Sequence, residues 1–174
     1  HVVAGTTDCD IIAYERTRGK EVWRTILNDG DSVVTLAATD DVLVAGTRGA
    51  DGTVAAVDPA TGTVRWQRRT ADDVGEPTKD TRFFLPFVVD AVVAGEYTYV
   101  AARRYERDGD GGRHFDSVVY AFENDGTVAW RYEADASPIA LDVRDDRLAV
   151  AFNRCPGTHQ CGLVVLDRTT GDLR

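Results

Sequence analysis

The sequence predicts an all-β fold, a β-propeller of four-stranded antiparallel blades, with about four blades making up part of a ring. Three observations carry this expectation. A motif ending in tryptophan returns along the 174-residue chain. Short β-branched and apolar runs alternate with turns rich in Gly, Asp and Pro. No stretch has the apolar spacing of an amphipathic helix of useful length. Evenly spaced short strands with one motif per unit are the pattern of propeller blades.

The motif appears first as Ala13-Tyr14-Glu15-Arg16-Thr17-Arg18-Gly19-Lys20-Glu21-Val22-Trp23. It returns as Ala56-Val57-Asp58-Pro59-Ala60-Thr61-Gly62-Thr63-Val64-Arg65-Trp66. A version one residue shorter runs from Ala121 to Trp130, and a fourth from Val165 to Arg174 stops just before its tryptophan would fall. Trp23 and Trp66 are 43 positions apart, Trp66 and Trp130 64. A second marker keeps phase with the first: Val3-Ala4, Val44-Ala45, Val100-Ala101 and Val150-Ala151.

These markers divide the chain into units of about 1–27, 32–67, 87–131 and 138–174, read as one domain. The first unit begins at its second strand, His1 to Thr6. In the second, Ser32 to Ala38 is a strand, Thr39-Asp40-Asp41 a turn, and Val42 to Thr47 the next strand. A Gly-rich break over 48–52 leads to Thr53–Asp58, the Pro59-Ala60-Thr61-Gly62 turn, and a last strand over Thr63–Gln67. In the fourth unit the strands are Pro138–Val143, Arg147–Phe152 and Gly162–Asp167, followed by the Thr170-Gly171 turn and a strand that the chain ends within. Alternation such as Ile11 and Ala13 against Ile12 and Tyr14 buries both faces of a blade against its neighbours. Trp23, Trp66 and Trp130 are expected to plug the space between blades, with a cofactor-stacking role as the alternative.

Three strands in the first unit and four in each of the others fall short of a ring. The chain, which contains no methionine, is therefore read as an arc of a larger propeller. Its two end faces are expected to be apolar association sites, and two copies could complete an eight-bladed ring.

The segment Val57 to Trp66 resembles the blade signature of the pyrroloquinoline-quinone-like propeller repeats, and Leu166-Asp167-Arg168-Thr169-Thr170-Gly171 matches it nearly as well. The first unit departs from it with Glu15 and Arg18. The resemblance covers essentially the whole chain and implies a fold rather than a function. Members include quinone-dependent alcohol and glucose dehydrogenases, a scaffold lipoprotein that helps assemble outer-membrane barrels, and many archaeal secreted proteins. In the dehydrogenases the resemblance implies a calcium and an Asp base at the ring axis, and in some an adjacent cysteine pair. No Cys-Cys dipeptide occurs here.

Composition narrows the partners. With 29 acidic and 20 basic residues the net charge is −9, which repels phosphate backbones, so no nucleic-acid partner is expected. No apolar run approaches the length of a membrane helix, so direct membrane insertion is not expected. The bias of 22 Asp to 7 Glu and 18 Arg to 2 Lys fits a high-GC genome or a salt-adapted surface, and a haloarchaeal source fits both.

No catalytic, cofactor-binding or metal-ligating residues are assigned. His1, His114 and His159 lack metal-ligand spacing, and Ser32, Ser117 and Ser137 lie in no nucleophile elbow. Cys155 and Cys161 flank five residues between two strands, which suits a structural disulfide or, alternatively, a redox or metal pair with His159. Cys9 occupies the repeat position of Cys161. Asp108, Asp110 and Asp116 belong either to a calcium loop or to a solvated hairpin tip. The enlarged connections 67–84, 105–116 and 153–161 emerge on one face of a propeller, and insertions gathered on one face often mark a binding surface. Phe83, Phe84, Arg103, Arg104, Tyr105, His114 and Phe115 would line or flank it. The expected function is a non-enzymatic binding or scaffold module of an extracytoplasmic protein. Its partner is another protein, a second copy or the remainder of the parent propeller. A fragment of a quinone-dependent dehydrogenase and a structural subunit of a cell-surface assembly are the alternatives.

Overall fold

The computed structural model describes residues 1–27, 31–77, 84–107, 113–134, 136–153 and 162–174. The first blade holds β1 (Val2–Gly5), β2 (Asp10–Tyr14) and β3 (Glu21–Ile26); the second holds β4 (Ser32–Ala38), β5 (Leu43–Arg48), β6 (Thr53–Val57) and β7 (Val64–Arg69). After one helical turn, α1 (Ala71–Val74), the third blade holds β8 (Phe87–Ala94), β9 (Tyr97–Arg107), β10 (Arg113–Phe122) and β11 (Val128–Ala134). The fourth holds β12 (Ser137–Arg144), β13 (Arg147–Asn153) and β14 (Gly162–Asp167). Each blade is an antiparallel meander. The fold is thus the all-β partial propeller that the repeat predicts.

Three elements differ from the sequence reading. The expected 105–116 connection is largely ladder, since β9 runs on to Arg107 and β10 begins at Arg113, with Tyr105 paired to Phe115 and Arg107 to Arg113. The expected fourth strand of the last blade is a single bridge between Leu166 and Leu173, because too few residues follow the Thr170-Gly171 turn to build a ladder. The 67–84 connection is not all loop: β7 runs on to Arg69, and α1 follows with Asp72 and Asp73 in its first turn, where acidic groups suit the amide end.

A bulge recurs in each pair that ends the motif, at Ala13/Tyr14, Ala56/Val57 and Ala121/Phe122. It sends residues two apart to opposite faces, which a regular strand forbids. Val64 therefore packs into the core between the first and second blades, while Trp66 packs into the core between the second and third. Alternation does the rest. Leu43, Ala45, Ala55 and Val57 face the first blade, and Val44 and Val54 face the third. A third core joins Tyr99, Ala101, Val119 and Trp130 to Leu148, Val150 and Leu166 of the fourth. All of β6 is buried, as a central strand covered on both faces must be.

Each tryptophan is fixed by the turn of the next blade. Trp23 Nε1–H donates to Pro59 O (3.2 Å), Trp66 to Asn124 O (3.2 Å) and Trp130 to Arg168 O (3.1 Å). The glycine of each receiving turn has positive φ, at 77° for Gly62, 89° for Gly126 and 77° for Gly171. A Cβ on Gly62 would sit 2.6 Å from Trp23 Cε3, so glycine is required both for the turn and for the seat of the indole. All three rings take the structural role, packed between blades, with Trp66 less covered than the other two.

The carboxylate that opens the turn holds it. Asp58 Oδ1 accepts from Ala60 N–H (2.9 Å) and Thr61 N–H (3.0 Å), and Oδ2 pairs with Arg65 (2.9 Å). Asp167 repeats this with Thr169, Thr170 and Arg174. The Arg65 hydrogen bond, then the two amides, hold Asp58 at a pKa of about 2; Arg174 and its two amides do the same for Asp167.

Candidate functional site

Among the described residues, the β5–β6 connection and the segment after β7 emerge on one face, and the turns that hold Gly62, Gly126 and Gly171 lie at the opposite ends of the strands. On the connection face the segment after β7 is anchored first. Thr70 N–H and Oγ1–H both donate to Gly52 O (3.2 and 2.7 Å), and Ala71 N–H donates to Asp51 O (3.1 Å). α1 then carries Asp73 over the third blade. Its Oδ2 accepts from Arg68 (2.8 Å) and from the buried Tyr120 hydroxyl (2.9 Å), and its Oδ1 pairs with Arg131 (3.0 Å). Burial opposes the charge on Asp73, but the Arg68 and Tyr120 hydrogen bonds and the two guanidinium charges outweigh it, so its carboxyl lies below the ordinary range. Burial, then the neighbouring Asp73 carboxylate, pushes the Tyr120 phenol far up.

Arg104 makes the second attachment. Its Nε–H donates to Val74 O (2.7 Å), Nη1–H to Glu76 O (2.9 Å) and Nη2–H to Asp116 Oδ2 (2.8 Å), and it also pairs with Glu106. The planar guanidinium can reach two carbonyls and two carboxylates at once, which an ammonium group could not do in one plane. One side chain therefore ties the described part of the 67–84 connection to both strands of the β9–β10 hairpin.

Beside this clamp lies an aromatic and cationic cluster. Phe84 and Tyr105 have ring centroids 5.4 Å apart, and Tyr105 and Phe115 5.2 Å apart. The Arg103 guanidinium lies 5.2 Å from both the Phe87 and Phe115 rings, and that of Arg48 sits 3.8 Å above Phe87. Arg48 and Phe87 also form the bridge that joins the second and third blades into one eight-stranded sheet. A cavity of about 350 Å³ opens alongside, lined by Asp73, Phe115, Asp116, Ser117, Val118, Glu133 and Ala134.

Of the residues predicted for this face, Phe84, Arg103, Arg104, Tyr105 and Phe115 come together. Phe83, Asp108, Asp110, Cys155, His159 and Cys161, with the His114 side chain, lie outside the described residues. Asp116 pairs with Arg104, and among the described residues no group of three or more His, Cys, Asp or Glu is placed to hold a metal ion. Cys9 is buried in the core between the first two blades, with φ of 63°. Sequence reasoning missed Arg48, Arg68, Asp73, Phe87, Tyr120 and Arg131.

Large exposed apolar side chains gather at the terminal blades: Val2 (54% exposed), Val22 (43%) and Ile26 (60%) on the first, Ile139, Leu163 and Leu173 on the last. No helix among the described residues is long and apolar enough to cross a membrane.

Comparison with known proteins places this geometry. The model of a family described as outer membrane protein assembly factor BamB matches residues 3–174. None of the curated proteins matches. Among solved structures, quinohemoprotein alcohol dehydrogenase from Comamonas testosteroni superposes with a TM-score of 0.69 at 13% identity, over 99% of this chain and 32% of that one. A europium-containing methanol dehydrogenase gives 0.69 at 13% identity, over 99% and 38%. The computationally designed Ika8 protein gives 0.66 at 17% identity, over 98% and 44%. The chain thus spans less than half the length of these structures, and at such identities they share its fold.

Proposed function

The chain belongs to this family of pyrroloquinoline-quinone-like propeller repeats, and from that premise we propose that it is a non-enzymatic binding or scaffold module acting outside the cytoplasm. The observation that carries the reading is the connection face. Arg104 and Asp73 fix the segment after β7 against the third blade, and so hold a surface on which Phe84, Phe87 and Arg103 are half-buried over the buried rings of Tyr105 and Phe115. Aromatic and arginine side chains are the residue types that concentrate binding energy in protein interfaces. The connections 67–84, 105–116 and 153–161 supply the interaction face, and the partner is a protein. The chain acts as part of a larger propeller. The exposed apolar residues of its terminal blades support packing against further blades, whether of the parent protein or of a second copy. The Asp-rich, Arg-rich composition supports a salt-adapted, haloarchaeal source.

The test has two arms. Light scattering in molar salt reads association: a mass near twice 19.0 kDa supports completion of the ring by a second copy, and a monomer assigns the end faces to the parent protein. Titration with pyrroloquinoline quinone and calcium reads the alternative. Tight quinone binding overturns the non-enzymatic reading and makes the chain a piece of a dehydrogenase.

A further inference from the structure

Trp66 differs from the other two repeat tryptophans. Trp23 and Trp130 are each 9% exposed, whereas Trp66 is half-buried. The difference begins in the sequence. The receiving turns of Trp23 and Trp130 run Asp58–Gly62 and Asp167–Gly171, closed by Gly62 N–H to Asp58 O and Gly171 N–H to Asp167 O (2.8 Å each). The turn that receives Trp66 is Glu123-Asn124-Asp125-Gly126, one residue shorter and closed by Gly126 N–H to Glu123 O (3.0 Å). The indole keeps its seat on Gly126 and its bond to Asn124, with less of the turn to cover it. A cavity of about 510 Å³ opens there, on the face opposite the long connections.

We propose that this cavity is a binding site for a neutral sugar ring. Its volume falls in the range of small-molecule sites. Trp66, Val42 and Val93 give it an apolar side, and Asp41, Arg65, Thr98 and Asn124 are among its polar groups. Arg65 is held in place by Asp58, at 2.9 Å, and has further N–H groups to offer. The Asn124 amide and the Thr98 hydroxyl can each donate and accept, and the Asp41 carboxylate accepts. A sugar hydroxyl does both, and the C–H face of the ring suits the indole and the valines. Asp41 and Arg65, both at exposed positions, bring one charge of each sign to the rim, so the wall favours neither a cation nor an anion. This site is independent of the interaction face proposed above.

The test is an NMR titration of the full chain with methyl glucoside, methyl mannoside and N-acetylglucosamine, following the three indole N–H signals. Tetramethylammonium and acetate serve as charged probes. A saturable shift of the Trp66 signal with one of the sugars, in the millimolar range typical of small weak ligands, is the expected result, with Trp23 and Trp130 unmoved. Asp41→Ala and Asn124→Ala, both at exposed positions, should weaken it about tenfold while leaving the melting temperature unchanged. Absence of a saturable shift with every sugar overturns the site. A response to tetramethylammonium or acetate alone overturns the ligand class.

Discussion

The indole N–H of Trp23, on the last strand of the first blade, donates to the carbonyl of Pro59 in the turn of the second, and the ring rests on Gly62 of the same turn. Gly62→Ala is expected to destabilise by about 2–4 kcal/mol, from the left-handed backbone and the collision with the indole. Gly19 occupies the corresponding place in the first blade, with φ of 64° but open space around it, so Gly19→Ala should cost only about 1 kcal/mol. Urea denaturation of the pair separates the backbone effect from the ring contact.

Tyr120→Phe removes the hydroxyl donor from the Asp73 carboxylate while keeping the ring in the core. The expected loss is about 1–2 kcal/mol, read by thermal unfolding. Asp73→Ala in the Tyr120→Phe background should cost less than Asp73→Ala alone, because the two groups share one bond.

Arg104→Ala leaves the Val74 and Glu76 carbonyls and the Asp116 carboxylate without their common donor. A loss of about 2–3 kcal/mol is expected. Amide hydrogen exchange should rise at 71–76 and at the β9–β10 hairpin, with the first blade unaffected. Arg104→Lys should recover only part of the protection, since an ammonium cannot span the four acceptors.

Asp58 and Asp167 titrate near 2 in the folded protein, against an ordinary value of 3.8. A carboxyl whose pKa is depressed by folding adds stability above its unfolded pKa and loses it as pH falls toward the folded value. This contribution is therefore constant above pH 4 or so and declines between about 4 and 2. Asp58→Asn should flatten that part of the acid-unfolding curve, followed by urea midpoints across the window.

The repeating parts of the molecule were legible because they are periodic. The β4 run Ser32–Ala38 and the β14 run Gly162–Asp167 follow from β-branched residues bounded by turn residues, and the tryptophan register follows from the motif. Phe84, Tyr105 and Phe115 were legible as a group through the enlarged connections around them, but the burial of Tyr105 and Phe115 as a cross-strand pair was not, because the β9–β10 ladder runs further than the loop-like composition suggests. Asp73, Tyr120 and Arg131 were not. Asp73 and Tyr120 sit at positions with no repeat counterpart of the same type; Arg131 follows Trp130 as Arg24 follows Trp23, but its pairing with Asp73 does not repeat, and these contacts join residues 47 and 58 positions apart. The same holds for Arg48 and Phe87, which meet only because two blades abut. The bulge that parts Val64 from Trp66 was also hidden, since spacing alone puts both on one face.

The three indoles all reach toward the carboxyl end of the chain: Trp23 to a turn 36 residues on, Trp66 to one 58 on, Trp130 to one 38 on. A blade emerging from the ribosome is therefore unfinished until its successor has been made, an interval of several seconds at roughly 5–20 residues per second. During that interval its tryptophan has no seat and its forward face is bare. The seat of each of these indoles is thus supplied by the blade made after it.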